Sequence, residues 1–179
     1  MFHVLETNRF VLEQILLEDQ AFIFEGLSHP QVIRYYGVRY DSYEATSSQM
    51  EFYAGCLQQG SGMHWKIVKK QTGERAGVIG FNNYQQKHNK AEIGYWLLPQ
   101  FWKQGIIAES LPAVVQYMQQ VRNIHRIESL VEEGNTDSFI VMERAGFQYE
   151  GTLRDCEIKD GKYISLLMYS LLSPRPSYQ

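Results

Sequence analysis

The stretch that decides the fold is Asn135–Asp155, NTDSFIVMERAGFQYEGTLRD. Asn135 is a residue type that caps a helix N-terminus, and Ser138 stands three residues on, in the first turn. Phe139, Met142 and Ala145 fall at helical spacing, Gly146 suits the left-handed residue that ends a helix, and Phe147 opens a strand. The unit reads as a capped helix, a glycine stop and a strand, with amide and hydroxyl groups gathered where the helix begins. Such a start can hold the polar arm of a ligand, and its dipole favours negative charge nearby.

Upstream, Ala91–Glu109, AEIGYWLLPQFWKQGIIAE, reads as strand, short loop and helix, with Gly105 at the helix entrance. Free backbone N–H groups at such an entrance can cradle a pyrophosphate. The segment lacks the GK[ST] ending of a Walker A loop and is not a GxGxxG fingerprint. Taken alone, a glycine before a helix more often just permits a turn. Two such helix starts, 30 residues apart and each preceded by a strand, fit a single ligand. One would take phosphates, the other the polar arm between the phosphates and a reactive group.

The remaining segments make a mixed α/β chain. Arg9–Ile15 reads as a first strand, followed by short helices over Asp19–Leu27 and Pro30–Tyr36 and a helix from a Ser42 cap to Leu57. Strands follow at His64–Lys70 and Arg75–Asn83 around a Thr72-Gly73 turn, and at Ala91–Leu98. Gly105–Val121 reads as one helix, with Pro112 requiring a local distortion. Arg126–Glu132 is a strand, and Phe147–Leu153 and Tyr163–Leu172 close the chain, the last after an Asp160-Gly161 hairpin turn. The order is helices, an antiparallel meander, then alternating strands and helices, in a single domain over residues 1–172. Residues 173–179, with Pro174 and Pro176, read as a loose tail.

Composition narrows the function. The 179 residues are 44% hydrophobic with 12 Tyr and 9 Phe, enough for a full core. A net charge of −3 supplies no general basic field for nucleic acid, so direct nucleic-acid binding is not expected. Cys56 and Cys156 form no CxxC pair and read as reduced thiols, and the five histidines show no ligand spacing, so no metal is expected. No segment has membrane-spanning length and the N-terminus does not look like a signal, which points to a cytoplasmic protein with no membrane association.

Several motifs together resemble the GNAT superfamily of acetyl-CoA-dependent N-acetyltransferases, in its RimJ/RimL-type branch of ribosomal-protein N-terminal acetyltransferases. They are Leu5–Leu12 (LETNRFVL), Ser28–Tyr35 (SHPQVIRY), Gly80-Phe81, Ile93–Leu97 (IGYWL), Gly105–Glu109, Asn135-x-x-Ser138 through Gly146-Phe147, and Glu150–Asp155. The resemblance spans nearly the whole chain, and its Asn-x-x-Ser…Gly-Phe…Glu-Gly block is the specific part. It implies a mixed, mainly antiparallel sheet of six to seven strands, splayed at the centre and flanked by helices. The phosphate loop departs from the family's Arg/Gln-x-x-Gly-x-Gly/Ala: Trp102 stands at the first position and Ile107 at the last, where a small residue allows close backbone approach.

What the resemblance implies for individual residues follows. Lys103, Gln104, Gly105, Ile106, Ile107 and Ala108 would hold the pyrophosphate of acetyl-CoA, and Asn135 the pantetheine arm, besides capping its helix. Trp96, Leu97 and Leu98 would offer backbone N–H groups to the thioester carbonyl as oxyanion-type stabilisation. Ser138 would assist the departing thiolate, because the tyrosine that many members carry four residues further on is Met142 here. Glu92, or a water, would take the proton of the attacking amine; an exposed strand charge is its plain alternative. Glu109 reads as a helix-dipole partner. Tyr35, Tyr36, Tyr40, Tyr43, Phe52 and Tyr53 either line an acceptor cleft or pack the core. The expected acceptor is a protein or peptide N-terminal amine, with a small amine such as a polyamine, amino acid or antibiotic as the rival. An acyl-CoA-binding sensor with little turnover is the reading from another class, and a homodimer is the assembly the family suggests.

Overall fold

The inward and outward alternation of apolar residues builds the sheet. In Arg126–Glu132 it turns Ile127, Ser129 and Val131 inward and leaves the charged residues at the margin. The computed structural model, which describes residues 2–174, contains one eight-stranded sheet in the order β1-β2-β3-β4-β5-β6-β8-β7. The strands are β1 (Leu5–Glu6), β2 (Phe10–Gln14), β3 (Met63–Lys69), β4 (Arg75–Gln85), β5 (Lys90–Leu97), β6 (Arg126–Glu132), β7 (Gln148–Lys159) and β8 (Lys162–Leu172). The helices are α1 (Gln20–Ser28), α2 (Pro30–Ile33), α3 (Ser47–Gln59), α4 (Ile106–Gln116) and α5 (Thr136–Arg144). Every pairing is antiparallel except β5 with β6.

Helices cover both faces. On one, Trp96 of β5 lies against Gly26 of α1, where a Cβ would come within 2.2 Å of the indole, and Tyr53 of α3 stacks beside His64 of β3 at 4.7 Å between ring centres. Gly26 is thus the opening in α1 that admits a tryptophan. Burial alone pushes the His64 imidazole down to about 3, so it is neutral there. On the other face the turn after α4 sets Tyr117 edge-on to Trp65, 5.4 Å away. Trp65, Phe81, Ile93, Leu111 and Met118 are among the side chains this core buries almost completely.

The β5–β6 pair makes the sheet more than a wall. Its parallel register covers only Lys90↔Arg126, Ala91↔Ile127 and Glu92↔Glu128, yet β5 continues to Leu97 and β6 to Glu132. From Ile93 and Ser129 onward the two strands share no ladder. A gap opens there in the middle of the sheet, and β6 satisfies its backbone on β8 instead, register by register to Glu132↔Leu166. The central splay expected from the sequence is this gap.

The departures from the expected elements have physical causes. The sheet has eight strands instead of six to seven, because Leu5–Glu6 pairs with Val11–Leu12 although two residues show no alternation. The final hairpin's first strand runs to Lys159, because a bulge between Leu153 and Glu157 interrupts its period while pairing with β8 resumes. Pro112 sits inside α4 without breaking it; the proline lies on the exposed side, so the carbonyl it deprives of a donor is turned to solvent. The irregularity comes later, as a π-helical turn over Tyr117–Val121. Pro30–Tyr36 yields only the single turn Pro30–Ile33. At the start of the expected tail, the Ser173 amide donates to the His125 carbonyl at 2.8 Å. Residues 175–179 of that expected tail lie outside the described residues.

Candidate active site

Both helix starts singled out in the sequence lie against the last residues of β5, on one face of the sheet. The Tyr95 hydroxyl is 2.8 Å from Ser138 Oγ in the first turn of α5. Two residues along β5, the Leu97 carbonyl accepts a 2.8 Å hydrogen bond from Trp102 Nε1 in the loop before α4. Residues two apart on a strand stand roughly 7 Å apart. The two openings therefore meet along a short span of β5, beside the gap, and α4 also packs against α5.

The loop before α4 is shaped to present amides. Lys103 (φ 59°) and Gly105 (φ 71°) are left-handed while Gln104 between them is not, and such alternation turns successive N–H groups into one concavity. Among the described residues, no intramolecular acceptor takes the backbone N–H of any residue from 103 to 108. These are the orphan donors of a helix start, extended backward into the loop. Ile107 does not crowd this concavity. Its side chain is 6% exposed and points into the core, so the missing small residue changes packing underneath the loop and leaves the amides accessible. Lys103, Gln104 and Ala108 are exposed, and Ile106 is buried.

A brace that the sequence did not reveal holds this loop. Glu109 Oε1 accepts from Thr7 Oγ1 and from the Arg9 amide, both at 2.7 Å, and Oε2 accepts from Arg9 Nε at 2.6 Å. Arg9 Nη1 then donates to the Gln104 carbonyl at 3.1 Å. Burial raises the Glu109 carboxyl, but the Arg9 amide, Thr7 and the guanidinium together outweigh it and leave the group below its ordinary range. Glu109 is thus a tether between α4 and the first hairpin, beyond its expected dipole role. Arg9 fixes a carbonyl of the loop and brings positive charge beside Gly105.

At the other opening, Asn135 Oδ1 accepts from the Ser138 amide at 3.3 Å, the expected cap. Among the described residues nothing accepts from the Asn135 side-chain amide group, so both its protons are available. Met142 is completely buried, so the position at which many family members carry a tyrosine is here part of the core.

The backbone of β5 assigns the amides that border the gap. Leu98 donates to the Ala76 carbonyl at 2.9 Å, and the β4–β5 register is unbroken from Gly77↔Leu97 to Asn82↔Glu92. Because an antiparallel strand alternates its bonding direction, the amides of Trp96 and Leu98 face β4, and those of Tyr95 and Leu97 face the gap. Of the expected trio Trp96, Leu97 and Leu98, the Leu97 amide faces the gap, as does that of Tyr95, while the other two are directed at β4.

The opposite face of β5 carries Glu92, whose Oε2 accepts from Asn83 Nδ2 at 3.1 Å. Tyr36 lies near it, and Tyr40, Gln49, Tyr53 and Trp96 gather around Tyr36 and Tyr53. Burial pushes the Tyr36 phenol up to about 12, helped by the nearby Glu92 carboxylate and by Tyr40. Tyr40 donates to Gln49 Oε1 at 3.1 Å. Among the described residues, the Tyr53 hydroxyl and Trp96 Nε1 are buried without a well-formed hydrogen bond, although Tyr53 stands close to both Trp96 and Gln49. The aromatic set therefore divides. Tyr36, Tyr40 and Tyr53 gather here, Tyr43 packs edge-on against Phe24 elsewhere, Phe52 flanks His64, and Tyr35 approaches Gly134. The segment carrying Tyr36 is strapped across the sheet by Arg39–Asp160 at 2.5 Å and by Lys159, which bonds both the Arg34 carbonyl and Glu132.

The residues fit a ligand that is anionic at one end and threads the gap at the other. Comparison with known proteins decides which. Residues 9–148 match the family model described as the acetyltransferase (GNAT) domain. The chain belongs to the GNAT acetyltransferase family. An uncharacterized N-acetyltransferase of Bacillus subtilis, YoaA, is 36% identical over 98% of this chain and 99% of its own length. The ribosomal-protein-serine acetyltransferase of Escherichia coli is 28% identical over 93% of this chain and 88% of its own, which supports placement in the RimJ/RimL-like branch. A spermidine N-acetyltransferase from Vibrio cholerae, crystallised with CoA and spermine, shares the fold at 19% identity, with a TM-score of 0.82 over 92% of this chain and 95% of that one. This GNAT protein is accordingly an acetyl-CoA-dependent N-acetyltransferase. Among its described residues no group of His, Cys, Asp and Glu is arranged to hold a metal, and no helix is long and apolar enough to cross a membrane.

Proposed function

We propose that this enzyme transfers acetyl from acetyl-CoA directly to the α-amine of a protein or peptide N-terminus. The observation that carries the proposal is the two-sided gap: loop amides, Asn135 and Ser138 on one face of β5, and Glu92 with its tyrosines on the other. The amides of residues 103–108 and Arg9 would bind the pyrophosphate, and the Asn135 side-chain amide the pantetheine. The Tyr95 and Leu97 amides would donate to the thioester oxygen as it gains charge. Ser138 O–H would stabilise the sulfur as it leaves. Glu92, directly or through a water, would accept the amine proton, and no covalent enzyme intermediate is required.

The preference for an α-amine is chemical. An amine must be neutral to attack, and an α-amino group has a pKa of about 7.7–8.0 against about 10.4 for lysine. The α-amine therefore needs less help from a base than a lysine does. The similarity to a ribosomal-protein acetyltransferase supports the same choice.

Release of CoA thiol, measured over peptides with a free N-terminus, N-blocked lysine peptides, spermidine and amino acids, tests the reading. The peptides with free N-termini are expected to give kcat/KM about tenfold or more above the others. A clear preference for spermidine or another small amine would replace the acceptor and keep the chemistry. Tight acetyl-CoA binding with transfer to none of them would make the protein a sensor.

A further inference from the structure

No role for the Tyr95 side chain is expected from the sequence, yet it is the side chain that touches Ser138. Its hydroxyl is 2.8 Å from Ser138 Oγ and 3.5 Å from the Ser138 carbonyl, and Ser138 Oγ has no other hydrogen-bond partner among the described residues. Burial pushes the phenol up to about 12, against a smaller opposing effect of the Ser138 hydroxyl, so Tyr95 keeps its proton at neutral pH. Between two hydroxyls in contact only one proton is shared, and the more acidic phenol is the better donor. The serine proton is then left over. The Ser138 amide is already directed at Asn135 Oδ1, and the Tyr95 amide faces the gap.

We propose that Tyr95 is the positioning residue for thiolate departure: its O–H donates to Ser138 Oγ and so turns the Ser138 proton toward the gap between β5 and β6. The inference rests on the acetyl-transfer reading above. When the amine nitrogen bonds to the acetyl carbon and the C–S bond breaks, the electron pair goes to sulfur. Ser138 O–H then donates a hydrogen bond to that thiolate. It need not surrender its proton, since a thiol of pKa about 8.5 is far more acidic than an alcohol. The amine's proton goes to Glu92 or water, and the thiolate is later protonated from solvent. A donor behind a donor strengthens both bonds. This arrangement supplies from β5 the phenol that α5, with Met142 in its core, does not.

The test compares Tyr95→Phe, Ser138→Ala and the double variant with two acetyl donors, acetyl-CoA and its selenoester analogue, whose selenolate leaves with less assistance. With acetyl-CoA, Tyr95→Phe is expected to lower kcat about five- to tenfold while KM for acetyl-CoA changes by less than about twofold. With the selenoester the deficit should shrink to about twofold or less, and the double variant should be no slower than Ser138→Ala alone. An equal deficit with both donors, or losses that multiply in the double variant, would show that Tyr95 acts independently of thiolate departure and overturn the inference. Unchanged kcat in Tyr95→Phe would overturn it as well. Failure of the acetyl-transfer reading is distinguishable, because the wild-type enzyme itself would then acetylate no amine.

Discussion

Replacing Ser138 by alanine is expected to lower kcat about ten- to a hundredfold, with acetyl-CoA affinity nearly unchanged. The magnitude is that of a hydrogen bond to a charged partner, about 1.5–3 kcal/mol. Affinity should hold because Ser138 contributes to the cap only through its amide, which alanine retains, and Asn135 Oδ1 still accepts it. The side chain matters only once sulfur carries charge, so the loss belongs in the transition state. Steady-state kinetics alongside calorimetric titration of acetyl-CoA separate the two quantities. A rise in the dissociation constant equal to the loss in kcat/KM would assign Ser138 to binding.

Replacing Asp19 by alanine should be the most damaging single change to stability, costing about 3–5 kcal/mol. Asp19 is completely buried and its carboxylate is shared among three donors. Lys66 Nζ approaches both its oxygens, at 2.9 and 3.1 Å; Arg75 Nε lies 3.1 Å away; and the Leu16 amide donates at 2.8 Å, fixing the entry into α1. Without Asp19, the buried Lys66 ammonium keeps only Glu13 among the described residues, at 3.7 Å. A domain of this size has roughly 5–15 kcal/mol in all, so the variant should unfold at markedly lower urea concentration. The penalty arises from a stranded charge, so adding Lys66→Met should recover much of it. If the two substitutions simply add, the pair is not coupled and the account of this corner is wrong.

How much of this was legible in the sequence depends on how local each signal was. Asn135 as a cap, Gly105 at a helix entrance and the Asp160-Gly161 turn are short-range statements about backbone conformation, and each stands in the structure. The bounds of Arg126–Glu132 were legible because one strand alternates cleanly. The tether of Glu109 to Arg9 was not, because it joins residues 100 positions apart and either is ordinary surface charge when read alone. Tyr95 was hidden for a similar reason: alternation tells which side of β5 it faces, but not that α5 begins there. Which amides border the gap depended on the β4 register, information that β5 by itself does not contain. Ile107 misled in the opposite direction, since a motif position says nothing about whether its side chain points to the ligand or beneath it.

The central claim is that a single acetyl-CoA molecule bridges both helix openings along β5. Residue-resolved amide hydrogen exchange during a titration with acetyl-CoA tests it most directly, because the amides of residues 103–108 have no acceptor among the described residues. The account predicts slowed exchange at 103–108, at 95 and 97, and over 135–138, all saturating with one dissociation constant. Protection confined to one of the two openings, or two regions saturating at different concentrations, would contradict it.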